Sequence, residues 1–207
     1  MSAYEKWHQW ALELQSLAQA GLYYTQNVFD RERYERIRDL SAEIMSQYAD
    51  LPLETVKDLF CSDDGYITPK LDTRGVLFQD GRILLVREAT GNWALPGGWV
   101  DVDRSVRENT VKEVREETGL TVTADRILAV LDRDKHNRPL HARKIILIFV
   151  QCTALGGEFV PNSETVEARY FARDEIPSPL ALEKTTPEEL ELCFRACDDP
   201  HWQPYFD

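Results

Sequence analysis

Residues 97–120 read GGWVDVDRSVRENTVKEVREETGL, and the fold follows from how this stretch divides. Its second part has the marks of a helix over 105–118. Ser105 and Glu108 form the S-x-x-E pattern that caps an N-terminus, and Gly119 is a natural C-terminal stop. Within it Glu113, Glu116 and Glu117 stand at i, i+3 and i+4, which puts three carboxylates on one side. Val111 and Val114 project from another part of the circumference and can anchor the helix to a sheet. Acids at this spacing repel by roughly a few tenths of a kcal/mol per pair, and Lys112 and Arg115 screen them only in part. Such a face is ordinarily just solvated. It becomes favourable where a hard divalent cation such as Mg²⁺, which prefers carboxylate oxygens, is to be held. The first part continues from Leu95-Pro96, and its paired glycines allow close backbone approaches that side chains would block. Taken alone, a Gly-Gly pair is a plain turn.

Outward from this helix the pattern is one of short strands. Val76 to Phe78 and the segment RILLVR at 82–87 flank Asp80-Gly81, a two-residue hairpin signal. Further strands are expected at 126–131, 144–153 and 166–171. A last helix opens at Thr186-Pro187 with a second capping box, Thr186-x-x-Glu189. Strands in a run with a helix inserted late indicate α+β rather than alternating βαβ units.

The first 60 residues read as helices instead. Trp7, Trp10, Leu14, Leu17 and Gly21 recur three or four apart, which predicts one buried stripe on a helix over about 4–24. Asp30 is the expected N-cap of a second helix with a stripe of Tyr34, Ile37, Leu40, Ile44 and Tyr48. A short third helix over 54–60 follows the break at Leu51-Pro52, and Asp64-Gly65 and Pro69 punctuate the change to strands. Two domains result, 1–66 and 67–207. The first makes a thin core by itself, so packing on the second domain, on another copy, or on both is expected, and a homodimer is the expected assembly.

The chain has 207 residues, 43% hydrophobic and 29% charged, with only 10 Gly and 10 Pro, which excludes a disordered or low-complexity polypeptide. No apolar run is long enough to span a membrane, and the start, MSAYEKWHQW, lacks the basic-then-apolar form of a secretory signal. Cys61, Cys152, Cys193 and Cys197 show no metal-ligand spacing and read as ordinary thiols of a reducing compartment, so a cytoplasmic setting is expected. The net charge of −12 is uneven: −6 over 1–66, −1 over 67–178 and −5 over 179–207. Acidic flanks disfavour duplex DNA and anionic lipid, whereas the balanced middle can take an anionic small molecule with divalent cations supplying positive charge.

Taken whole, 97–120 resembles the Nudix box, G-x5-E-x7-R-E-U-x-E-E-x-G-U with U aliphatic. Gly98, Glu113, Val114, Glu116, Glu117, Gly119 and Leu120 match at the right spacing. Arg104 stands where the pattern has Glu and Lys112 where it has Arg. In the family that pair braces the loop; two cations cannot, so Asp101 or Asp103 is expected to substitute. The strand RILLVRE, the segment NWALPGGW and residues 156–171 (GGEFVPNSETVEARYF) also lie where Nudix domains have their elements. The helical N-terminus with LDTRG at 71–75 resembles a subfamily hydrolysing nucleoside diphosphates linked to a moiety X, its CDP-choline pyrophosphatase branch looking closest. The resemblance implies a Nudix α/β/α sandwich with a mixed sheet, preceded by a small helical domain.

It further implies Mg²⁺-dependent cleavage of a pyrophosphate link (with Mn²⁺ as a substitute), giving a nucleoside monophosphate and phospho-X, CDP-choline and ADP-ribose being the foremost substrates. Glu113, Glu116 and Glu117 are the implied metal ligands, with the Gly97 carbonyl as a further oxygen. Glu164, in the polar loop before the 166–171 strand, is a candidate metal ligand or general base, and Glu167 is its rival. Glu116, Glu117 and Glu164 thus form the expected catalytic set. Arg74 is a candidate phosphate contact, Trp93 a candidate base-stacking surface as against a core residue, and Asp101 a further substrate contact. Lys135 and Arg138 lie in the loop DRDKHNRPLH, which could close over substrate; its His136 and His141 are not expected to be catalysts. Two readings stay open beside this one: a nucleoside triphosphate or RNA-end pyrophosphatase, and a nucleotide sensor without catalysis, for which the departures at Arg104 and Lys112 are the only support.

Overall fold

The computed structural model describes residues 3–49, 52–62 and 65–207, with backbone alone for 3–5, 48 and 49. The expected break at Leu51, the turn residue Asp64 and the side chain of Tyr48 lie outside the described residues. The chain forms two compact units, 1–69 with 140–144, and 70–139 with 145–207. The division thus falls three residues later than 66/67, and a short segment from far along the chain joins the first unit.

The first unit contains α1 (Ala3–Tyr24), α2 (Val28–Ala49) and α3 (Leu53–Phe60). The α2 helix begins before Asp30: Asn27 Oδ1 accepts the Phe29 and Asp30 N–H groups at 2.9 and 3.3 Å, so Asn27 is the cap. Asp30 instead pairs with Arg33 inside the first turn. The expected buried stripe on α1 is also displaced. Trp7, Trp10 and Leu17 are 39%, 48% and 61% exposed, and the inward face is His8, Ala11, Gln15, Ala18 and Leu22. Small and polar residues keep the same spacing one position away, and these fit the thin space between helices. Gln15 Nε2 donates to the Phe60 carbonyl at 2.6 Å and His8 Nε2 to that of His141 at 2.9 Å. Ala142 packs with Ala11, Ala42, Met45, Val56 and Phe60, and Arg143 donates to the Leu59 carbonyl. These contacts draw 140–144 into the helical unit, a non-local event that no linear boundary reveals.

The second unit is a mixed sheet with helices on both faces. Its strands are β1 (Lys70–Gln79), β2 (Arg82–Glu88), β3 (Trp93–Ala94), β4 (Gly97–Trp99), β5 (Leu120–Asp132), β6 (Ile145–Gly157), β7 (Thr165–Phe171) and β8 (Tyr205–Phe206), in the order β3-β2-β1-β6-β5-β8, with β4 on β1 and β7 on β2. The pairs β1–β6 and β5–β8 are parallel and the others antiparallel. The hairpin turns at Asp80 and Gly81, both at positive φ (50° and 73°), as a two-residue turn of primed type requires.

Alternation along the central strands explains the layers. Val76, Ile83, Leu85, Leu147 and Phe149 point into one cluster, covered by α6 (Pro187–Asp198) through Leu190, Cys193 and Phe194. Leu77, Leu84, Ile148, Val150 and Cys152 point into the other, covered by α4 (Val106–Thr118) through Val114. The architecture is the α/β/α sandwich. The front half of β5 lies outside the expected strand over 126–131, although its exposed positions (Thr121, Thr123, Asp125) alternate with buried Val122 and Ala124 as in a strand with one solvated face. The stretch after β5 includes a single turn, α5 (Arg133–His136). No described helix is long and apolar enough to cross a membrane.

Candidate active site

Both expected capping boxes are present, and Gly119 ends α4 in the left-handed conformation. With Val114 sealed against the sheet, the rotation of α4 is fixed, and Glu113 turns toward the loop 95–98 while Glu116 reaches solvent. Their side chains are 14% and 59% exposed.

The loop owes its shape to β4 lying antiparallel on β1, with Arg74 opposite Gly97 and Thr73 opposite Gly98. Gly97 has φ 148°, and a Cβ there would stand 1.9 Å from the Thr73 carbonyl oxygen, so no side chain fits. Its N–H donates to Glu117 Oε2 at 3.1 Å, and its carbonyl accepts from Arg74 Nη1 at 3.0 Å. A Cβ on Gly98 would lie 2.8 Å from Glu113 Oε2. The paired glycines are therefore the surface on which two of the three carboxylates rest.

Arg74 is not a phosphate contact here. It is 3% exposed, its Nε and Nη2 each donate to a carboxylate oxygen of Asp72 at 2.7 Å, and Nη1 reaches the Gly97 and Leu95 carbonyls. Enclosed by the sheet, it braces the loop. Trp93 is likewise core: 7% exposed, edge-on to Phe171 with ring centroids 4.9 Å apart, and without a face for a base. Lys135 is exposed and stands 3.7 Å from Asp207, whose carboxylate also accepts His136 Nε2 at 2.7 Å.

The departures from the box pattern resolve in Asp101. Its carboxylate takes Lys112 Nζ at 2.9 Å and Arg104 Nε at 3.8 Å, joining the two cations that cannot pair directly. Asp101 thereby takes the bracing role expected of it or Asp103, rather than the substrate contact also expected of it. Asn109, fully buried, completes it by accepting the Asp101 N–H at 3.1 Å and donating to Thr73 Oγ1 at 3.0 Å. Lys112 also lies 3.1 Å from Glu113 and 3.5 Å from Glu116. Three anions hold its ammonium above the usual lysine range, and Lys112 holds Asp101 below the usual carboxylate range.

Burial has the opposite effect on the inner acids. Glu117 is pushed up to about 7, chiefly by desolvation, with Glu113 adding repulsion and Arg74, the Gly97 N–H and Lys184 opposing it. Glu113 is raised by burial as well. The donor set is all oxygen, and crowded half-buried carboxylates of raised basicity are what a hard divalent cation would relieve. Glu113, Glu116 and Glu117 therefore fit such an ion in charge and donor type. Among the described residues no three His, Cys, Asp or Glu side chains already converge as ligands.

Glu164 sits on a loop tied to this helix: Asn162 Nδ2 donates to the Glu116 carbonyl at 2.9 Å, and Asn162 Oδ1 accepts the Glu164 and Thr165 N–H groups. Its rival Glu167 lies on β7 and pairs with Arg87 at 2.9 Å and Arg169 at 3.8 Å. The residues with no signal in the sequence were Asp72, Asn109, Asn162 and the pair Glu88–Lys184. Asn109, Asn162 and the Glu88–Lys184 pair act through contacts between distant segments, and Asp72 acts through Arg74 two positions along the same strand.

Comparison with known proteins agrees with this geometry. Residues 69–193 match the NUDIX domain, and residues 5–60 match the N-terminal oligomerisation domain described as UDP-X-like. A Bacillus subtilis (strain 168) protein, YjhB, provisionally named an ADP-ribose pyrophosphatase, is 40% identical over 203 residues, spanning 98% of this chain and 97% of that protein. A crystal structure described as an ADP-ribose pyrophosphatase from Streptococcus suis 89-1591 is 52% identical, covers 68% of this chain and all of the other, and superposes with a TM-score of 0.63. A second, described as a UDP-X diphosphatase, is 33% identical and covers 99% of both chains with a TM-score of 0.64.

Proposed function

The chain belongs to the Nudix family of hydrolases, and from that premise we propose that it splits the pyrophosphate link of a nucleoside diphosphate joined to X, ADP-ribose and CDP-choline being the foremost candidates. The observation that carries the reading is the Glu117 carboxylate, half-buried, hydrogen-bonded to the Gly97 N–H and crowded by Glu113. Glu113, Glu116 and Glu117 would hold Mg²⁺, with Mn²⁺ as a substitute, and the Gly97 carbonyl and Glu164 would complete the set. When bound, the ion would neutralise diphosphate charge and raise the acidity of a water aligned with the phosphorus. The Gly97 N–H orients Glu117, the Asp72–Arg74 pair holds that loop, and the Asp101–Lys112 contact fixes the start of α4. Glu164, as a ligand of that ion or as general base, is preferred to Glu167, which two arginines engage. A cytoplasmic setting belongs to the same reading.

The test is product analysis with ADP-ribose, CDP-choline, a UDP-sugar and nucleoside triphosphates, in Mg²⁺ and in EDTA. Mg²⁺-dependent release of a nucleoside monophosphate from a diphosphate, lost in Glu117→Gln, is expected. Preference for triphosphates would move the substrate class, and binding without turnover would favour a sensor.

We also propose that α1 and α2 form a homodimer interface, because Trp10, Leu17 and Leu40 are exposed at 48%, 61% and 39% on a segment matching an oligomerisation domain. Sedimentation as a clean monomer at micromolar concentration would overturn this.

A further inference from the structure

Two cations act on Glu117, and the fold treats them oppositely. Arg74 has 4% of its side chain exposed and both oxygens of Asp72 against it, so it cannot meet a ligand. Lys184 keeps 40% of its side chain exposed and has one carboxylate partner, Glu88. The segment bearing Lys184 is fastened to the loop that carries Gly97. The Ala181 N–H donates to the Trp93 carbonyl at 2.9 Å, the Leu95 N–H donates to Thr185 Oγ1 at 3.0 Å, and the Lys184 N–H closes a turn on the Ala181 carbonyl. Glu88 ends β2, and the next N–H, that of Ala89, donates to the Glu164 carbonyl at 2.9 Å. The Lys184–Glu88 contact thus spans from the Gly97 side of the site to the Glu164 side. Of the cations nearby, Lys112 is shared by Asp101, Glu113 and Glu116, Arg87 pairs with Glu167 on β7, and Lys184 acts on Glu117. A lysine is a compact charge with three donors on a flexible stem, suited to exchanging one anion for another.

We propose that Lys184 is the residue that binds the diphosphate of the substrate, and that Glu88 holds its place: on substrate entry the ammonium leaves the Glu88 carboxylate for a phosphoryl oxygen. The proposal rests on the hydrolase reading and extends it to a residue outside the family's box.

The full-length chain is compared with Lys184→Met, Lys184→Arg, Glu88→Gln and the double variant Glu88→Gln/Lys184→Met. Turnover with Mg²⁺ is measured on whichever of ADP-ribose, CDP-choline and a UDP-sugar the unaltered chain cleaves best. Binding of adenosine α,β-methylene diphosphate, whose bridge resists hydrolysis, is measured by calorimetry. Loss of one charge-assisted contact predicts that Lys184→Met raises KM and the Kd of the methylene compound by about ten- to a hundredfold, with a much smaller change in kcat. Lys184→Arg should restore most of the affinity, Glu88→Gln should lower KM, and the double variant should stay as weak as Lys184→Met. Unchanged KM and Kd in Lys184→Met, with turnover intact, would overturn the proposal and leave the hydrolase reading standing. Recovery in the double variant would overturn it too, since the defect would then come from an unpaired Glu88. No turnover by the unaltered chain on any of the three would overturn the hydrolase reading and this one with it.

Discussion

The two units dispose of their residues in opposite ways. In the helical unit the large apolar side chains Trp10 and Leu17 face outward while His8, Gln15, Gln19 and Ser41 are buried. In the Nudix unit apolar side chains fill a cluster on each face of the sheet, and what is buried and charged gathers near one place: Asp72, Arg74, Arg133 and Glu189, beside the half-buried Glu117. Apolar periodicity therefore marks a core in the second unit and, on α1, an exposed face in the first. Buried polarity marks thin helix packing in the first unit and the machinery of a site in the second.

The sharpest way to break this contrast is Arg74→Met. Removing one partner of a buried ion pair typically costs about 3–5 kcal/mol, because Asp72 is left charged and enclosed. Denaturant unfolding should show a loss of that order, and Asp72→Leu in the same chain should recover much of it; no loss would mean the pair is not a brace. Next in size is Glu117→Gln, which should cut turnover by about 10²–10⁴ and yet stabilise the metal-free fold. A carboxyl raised from its ordinary 4.5 to about 7 favours the folded state fully below pH 4.5, and that contribution is lost as pH rises through 7. The difference is roughly 3 kcal/mol, so in EDTA the variant should unfold later than the unaltered chain at pH 8 and alike at pH 4. Mg²⁺ should reverse the order at pH 8.

In the helical unit Trp10→Glu should cost roughly 2 kcal/mol of association, seen as a shift toward monomer in sedimentation with helical content unchanged. If the helices unfold instead, that face is core and the contrast fails. The smallest effect belongs to the exposed brace. Asp101 is held below the usual carboxylate range by Lys112, so its contribution is present above that range and is lost as pH falls through the lowered value. Asp101→Asn should weaken turnover modestly, less so in high salt where the pair is already screened, without moving the unfolding midpoint.

Much of this was written locally. The capping boxes at Ser105 and Thr186, the Gly119 stop, the Asp80-Gly81 turn and the i, i+3, i+4 carboxylates each depend on residues within a few positions of one another, and such signals survive in a linear string. The substitution at Arg104 and Lys112 was legible as a problem but not as a solution, because Asp101 and Asp103 are equally near in sequence and only the loop path chooses between them. Asn27 over Asp30 as the α2 cap was a choice of the same kind, decided by where the chain leaves α1.

Arg74 and Trp93 show where local reasoning ends. An arginine within a strand and a tryptophan before Pro-Gly-Gly carry the same letters whether they face a ligand or the core. That outcome is set by β4 folding onto β1 and by Phe171 arriving from β7, contacts between residues tens of positions apart. The sequence by itself determined the longer helices, the β1–β2 hairpin, the family and the carboxylate helix, since those rest on short-range periodicity and spacing. Tertiary structure alone decided which charges are sealed, which stay open like Lys184, and which apolar face is left outward, because burial depends on whatever the rest of the chain brings alongside.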